Sequence, residues 1–163
     1  MKVRDLMQDP VKVCGFNTNL AEAVALLWEN DCGLLPVITE SGEVEAVITD
    51  RDIAIALGTR NQCAYEVPVG EVMTGKVYAC HPEDDIREAL NIMGDKRVRR
   101  LPVINGEGKL KGFLSLNDVA IHAENFDGDK TVTVAYEEVV KTLNAICRPR
   151  RSEALEQAQT TTA

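Results

Sequence analysis

The sequence predicts an α+β fold: two copies of one β-α-β-β-α unit, followed by a single C-terminal helix. Two observations carry the prediction. The first is an internal repeat at constant spacing. Leu35-Pro36-Val37-Ile38 recurs as Leu101-Pro102-Val103-Ile104, 66 residues further on. The same shift, without a gap, carries Met7 to Met73, Cys14 to Cys80, Glu22-Ala23 to Glu88-Ala89 and Gly42 to Gly108. It also carries Val47-Ile48-Thr49-Asp50-Arg51-Asp52-Ile53 to Phe113-Leu114-Ser115-Leu116-Asn117-Asp118-Val119. The second observation is periodicity, because each copy alternates short apolar runs with stretches of helical spacing. A duplicated unit means two similar lobes, and function is sought in the clefts between them.

The elements follow in order. A short opening helix or turn (Val3 to Met7, Val69 to Met73) leads to a β run, Val11-Lys12-Val13 or Val77-Tyr78-Ala79. A helix comes next, with Leu20, Ala23, Val24 and Leu27, or Ile86, Ala89, Leu90 and Met93, at helical spacing. Thr18 and Asp84 stand where an N-cap belongs. Strands Leu34 to Ile38 and Leu101 to Ile104 follow, then turns whose Gly42 and Gly108 supply a positive φ. Second strands, Glu45 to Ile48 and Lys111 to Leu114, run into helices from about Arg51 and Asn117. The organisation is thus repeat 1 over 2–58, a polar linker over 59–68, repeat 2 over 69–123, a helical extension over 124–150 and a disordered tail over 151–163. In the extension Asp127-Gly128-Asp129 reads as a turn, and Tyr136, Val139, Val140, Leu143 and Ile146 as one helix that Pro149 ends.

Composition narrows the function. A chain of 163 residues is one compact body or two half-domains sharing a core. Its net charge of −8 argues against nucleic acid, whose phosphates need a basic stripe. No apolar stretch approaches membrane-spanning length, and no apolar run with a basic flank opens the chain, so no membrane and no signal peptide are expected. Five cysteines without a Cys-x-x-Cys pair read as reduced thiols of a cytoplasmic protein.

Thr49-x-x-Asp52 and Ser115-x-x-Asp118 each sit at a strand-to-helix junction. The plain reading is a capping box, a hydroxyl capping the first turn and an acid three residues on reaching back. The same geometry also makes a ligand site. A helix N-terminus offers free N–H groups to anions, and a carboxylate at the mouth accepts hydrogen bonds from a vicinal diol. Two copies at one register favour the ligand site.

On these residues both repeats resemble cystathionine-β-synthase (CBS) domains, and the pair resembles a Bateman module, over about residues 2–123. The family motif is Gly-hydrophobic-x-Ser/Thr-x-x-Asp. The second repeat matches it with Gly112, Ser115 and Asp118; the first has Ala46 in place of the glycine, then Thr49 and Asp52. The methyl at Ala46 stands where it could crowd a ligand. The resemblance implies a pseudo-twofold pair of repeats and a sensor, not an enzyme, that binds AMP, ADP, ATP, S-adenosylmethionine or NAD in two clefts. It places ribose on Asp52 and Asp118, the hydroxyl role on Thr49 and Ser115, and the adenine edge near Val11 and Val77. It also implies a homodimer packed through helices, and the chain is more narrowly similar to short stand-alone members with an extra C-terminal helix.

Arg97-Val98-Arg99-Arg100 precedes the second Leu-Pro strand, and Arg99 and Arg100 are candidates to fork onto phosphate, against the plainer reading of a solvated basic patch. The first repeat has Asp31-Cys32-Gly33-Leu34 there, with no cation unless Arg51 or Lys12 helps. Cys14, Cys80 and His81 would supply three zinc ligands if the lobes brought them together, although buried thiols and a surface histidine are the simpler reading. Trp28 reads as packing, and no Ser or Cys pairs with His and an acid at catalytic spacing. The leading expectation is a regulatory module for an adenosine-containing small molecule, with no resident cofactor, acting on an unknown effector protein. The alternatives are a partner-binding adaptor without a tight ligand and a zinc- or redox-responsive stress protein.

Overall fold

The computed structural model describes residues 1–124 and 134–148. The expected Asp127–Asp129 turn, the stop at Pro149 and the 151–163 tail lie outside them. Each repeat contributes a helix, a hairpin and a helix. In repeat 1 these are α1 (Leu20–Glu29), β1 (Leu34–Ile38), β2 (Val44–Thr49) and α2 (Asp50–Arg60). In repeat 2 they are α3 (Ile86–Lys96), β3 (Arg100–Ile104), β4 (Leu110–Ser115) and α4 (Leu116–Ile121); α5 (Tyr136–Cys147) follows. The hairpins are antiparallel and share one register, Leu35 opposite Ile48 and Leu101 opposite Leu114. Their turns place Gly42 at φ +83° and Gly108 at φ +77°, a region that costs glycine nothing. The two turns also pair with each other, Val44 N–H donating to Gly108 O at 3.1 Å.

Three expectations are corrected. The β runs at Val11–Val13 and Val77–Ala79 form no strand; only Cys14 and Cys80 bridge, in parallel, to Val37 and Val103. Cys14 N–H donates to Pro36 O while Cys14 O accepts from Ile38 N–H, and Cys80 repeats this with Pro102 and Ile104. The next rung of a parallel ladder would need an N–H from Pro36 or Pro102, and proline has none. The helix caps are Asn19 and Asp85, one residue beyond Thr18 and Asp84. Thr18 Oγ1 accepts instead from Gly15 N–H at 3.0 Å, and Asp84 Oδ2 from His81 N–H at 2.7 Å, so both close the preceding turn. Trp28 is 86% exposed and Val24 is exposed beside it, so this edge of α1 does not pack.

The hydrophobic cores do not follow the sequence repeats. Val3 and Leu6 are buried with α3, β3, β4 and α4, in the core of repeat 2. Val69 and Val67 are buried with α1, β1, β2 and α2, in the core of repeat 1. The opening turn of each repeat is therefore built into the other. The backbone fixes the exchange: Gln8 pairs with Phe113 of β4 (2.8 and 3.0 Å), and Thr74 with Val47 of β2 (3.2 and 2.9 Å). The linker is part of the core too, since Val67 is 1% exposed and its carbonyl accepts from Leu20 N–H.

α5 breaks the symmetry by packing along α3. Gly94 of α3 stands where α1 carries Trp28, and a Cβ there would lie 3.5 Å from Ala145 of α5. Val139 and Thr142 of α5 face inward, whereas Tyr136, Val140 and Leu143 stay exposed. Among the described residues no helix is long and apolar enough to cross a membrane.

Candidate functional site

The two Ser/Thr-x-x-Asp junctions have one geometry. Asp52 Oδ2 accepts from Thr49 N–H at 3.0 Å and from Thr49 Oγ1 at 2.6 Å, while Thr49 Oγ1 accepts from Asp52 N–H at 3.1 Å. For Asp118 and Ser115 the matching distances are 2.8, 2.6 and 3.2 Å. The capping box is formed in both copies. It uses one carboxylate oxygen, Oδ2, and holds the acid half-buried at the head of its helix with Oδ1 directed elsewhere. Capping and ligand binding are thus not exclusive, because the cap fixes the rotamer that a diol-binding acid would need.

Val11 lines a cleft of about 190 Å³ with Gln8, Lys12, Cys32, Leu34 and Phe113. One wall comes from the chain before β1 and the other from β4, so this cleft spans the two repeats. Gln8 ties it to Asp118, its Nε2 donating to Asp118 Oδ1 at 2.7 Å. Val77, Tyr78 and Arg100 are the counterparts of Val11, Lys12 and Leu34 at the 66-residue shift, and Thr74 bridges Val47 of β2 as Gln8 bridges Phe113 of β4.

The motif glycine has a structural reason. A Cβ on Gly112 would meet Gln8 O and Met7 Sδ, both at 2.8 Å, so the chain's own exchanged segment fills the space. Ala46, its counterpart, is 0% exposed and part of the first core. The methyl at Ala46 therefore points into packing and not into the cleft, which corrects the expectation that it crowds a ligand.

The two arginines diverge: Arg99 lies in the bend before β3 and Arg100 opens the strand. The Arg99 Nη2 donates to Cys147 Sγ of α5 at 3.7 Å. Arg100 turns toward Gly33, where an added Cβ would be 3.3 Å from its Nη1 and 3.3 Å from Asp50 Oδ2. Arg51 is exposed. Sequence reasoning missed Gln8, Lys76, Lys96 and Tyr78. Both ammonium groups lie over the Tyr78 ring, 5.5 and 5.7 Å from its centroid. Their signal was present in the sequence, since Lys76 and Tyr78 flank Val77.

The zinc alternative loses its ligand set. Cys14 and Cys80 are buried in different cores, and among the described residues no three His, Cys, Asp or Glu side chains converge on a metal-sized space. Burial pushes the Cys14 thiol up to about 11; burial, with the Asp84 carboxylate adding to it, pushes Cys80 up to about 12. His81 Nδ1 accepts from Glu83 N–H at 3.2 Å.

Comparison with known proteins agrees with the fold. The family model described as the CBS domain matches residues 3–59 and 69–124. Hypoxic response protein 1 of Mycobacterium tuberculosis is 30% identical over 146 residues, 90% of this chain and 94% of that one. A crystal structure of Hypoxic Response Protein I with two coordinated zinc ions superposes with a TM-score of 0.69 at 31% identity, covering 76% of this chain and 100% of the other. The crystal structure of CBSX2 in complex with AMP gives 0.65 at 27% identity, covering 74% and 93%.

Proposed function

The chain belongs to the CBS-domain family, and from that premise we propose that it is a regulatory module sensing an adenosine-containing molecule. AMP, ADP and ATP are the first candidates, with S-adenosylmethionine and NAD as the other members of the class. The ribose diol binds the carboxylate of Asp52 or Asp118, supported by Thr49 or Ser115, and adenine lies along the backbone at Val11 or Val77. The observation that carries this reading is the pair of matching junctions, each capping a helix through one carboxylate oxygen, with an inter-repeat cleft beside the Asp118 copy. CBSX2, bound to AMP, lends support at 27% identity. No chemistry on the ligand is assigned, so output passes to an effector protein. A second copy of this chain covers the α1 edge at Val24 and Trp28, which α5 leaves open on this repeat while closing it on the other.

A thermal-shift panel of AMP, ADP, ATP, NAD, S-adenosylmethionine and zinc tests the reading, because a ligand that binds only the folded chain raises its melting point by mass action. At least one adenine compound is expected to do so. The Asp52→Ala/Asp118→Ala variant then loses on the order of 1.5–3 kcal/mol per charge-assisted bond. Equal affinity of wild type and variant in calorimetry refutes the assignment.

A further inference from the structure

We propose that the two clefts are chemically unequal: the Asp52 cleft takes a phosphorylated ligand with Lys76 and Lys96 on its phosphates, and the Asp118 cleft is closed to ribose by Gln8. This rests on the nucleotide reading above and assigns it to one cleft.

The acids differ first. Asp118 has both oxygens engaged, Oδ2 by Ser115 and Oδ1 by the Gln8 amide at 2.7 Å. A diol must displace that amide before it can bind. The residue 66 positions on is Thr74, which is too short to repeat the contact, and among the described residues no side chain donates to Asp52 Oδ1. Asp52 is the acid with a free oxygen.

The cations differ in the same direction. Lys76 and Lys96 share the Tyr78 ring, and among the described residues neither ammonium has a carboxylate within ion-pair distance. Two unbalanced cations held together in a chain of net charge −8 make an anion site. The 66-residue shift puts Pro10, Lys12 and Asn30 at the places of Lys76, Tyr78 and Lys96 in the other cleft, where Lys12 is the one cation among the described lining residues. The equivalence is structural, since Gln8, Pro10, Lys12 and Asn30 line the cleft beside Phe113, and Thr74 joins Val47 as Gln8 joins Phe113. Lysines suit a polyphosphate, whose terminal groups move, because they act as point charges on flexible stems. Arg100 adds a third cation, with Asp50 on the same side of Gly33.

Calorimetry of the full chain with adenosine, AMP and ATP, at low and moderate salt, tests the proposal. Wild type is expected to bind one ATP per chain, more tightly than adenosine and with a salt-dependent affinity. Lys76→Gln/Lys96→Gln, whose altered side chains are exposed, should weaken ATP by about tenfold or more while leaving adenosine within about twofold. Gln8→Ala should add a second adenosine-binding event. Equal losses for all three ligands, or two equivalent sites in wild type, overturn the inequality of the clefts. Failure of every adenine compound to bind wild type overturns the nucleotide reading itself, and this inference with it.

Discussion

Replacing Gly112 by alanine tests whether the motif glycine serves the chain or a ligand. The new Cβ would lie 2.8 Å from Gln8 O and 2.8 Å from Met7 Sδ. Met7 is a flexible side chain and can move aside. Gln8 O cannot, because it accepts from Phe113 N–H at 3.0 Å while Gln8 N–H donates to Phe113 O at 2.8 Å. Overpacking of this kind costs about 1–3 kcal/mol, and loosening the bridge adds about 1 kcal/mol for a weakened hydrogen bond. A loss of about 2–4 kcal/mol lowers Tm by about 4–16 °C in a chain of this length. Thermal unfolding of ligand-free wild type and Gly112→Ala by circular dichroism measures it. Ala46→Gly is the mirror control; it removes a methyl that is fully buried and frees a strand residue, at a cost of about 1–2 kcal/mol. If ligand-free Gly112→Ala melts with wild type and only ligand affinity falls, the glycine serves the ligand and the packing argument is wrong.

Three further outcomes are expected. A thiol reagent should label exposed Cys63 and Cys147 in native protein but reach Cys14 and Cys80 only on unfolding; their raised pKa values add stability that is full below the ordinary thiol range and falls as pH rises toward 11, so rapid native labelling at either refutes their burial. Partial burial pushes the Glu138 carboxyl up, but the Ala135 N–H and the Arg87 guanidinium outweigh it and hold the group below the usual range. The stability it gives is therefore complete above the ordinary carboxylate pKa and lost as pH falls through the depressed value; urea midpoints across acid pH should show a shallower fall for Glu138→Gln, and identical profiles would remove the Arg87 pair from the account. Sedimentation should give about twice 17.9 kDa for wild type and the monomer for Trp28→Glu, whereas a wild type at 17.9 kDa throughout the micromolar range rules out the α1 interface.

What the sequence disclosed was local or periodic. The hairpins, the positive φ at Gly42 and Gly108 and the helix starts at the two acids each depend on a few adjacent residues. The helix caps slipped by one because Thr18-Asn19 and Asp84-Asp85 each offer two good capping residues in a row, and the turn takes the first. The missing strands were legible in Pro36 and Pro102, but only once the neighbouring strand is known to be parallel. Trp28 follows Val24 at helical spacing, which locates a face without saying whether anything covers it; α5 covers the equivalent face of α3 alone. The exchange of Val3 and Val69 between cores, and the Gln8 amide on Asp118, join residues distant in the chain and leave no local trace.

That exchange bears on how such a protein can arise. A solitary copy of the unit would fold with a groove beside its second strand and hold the matching plug at its own N-terminus, pointed away. Its groove could be filled only by the plug of another molecule, at a concentration the cell must supply. Joining two copies in tandem makes the encounter intramolecular, at the millimolar effective concentrations short connections provide. Gene fusion here stabilises without a single new contact, and either half expressed alone should return to seeking its complement, so that fragments 1–62 and 63–163 are natural reagents for reassembly.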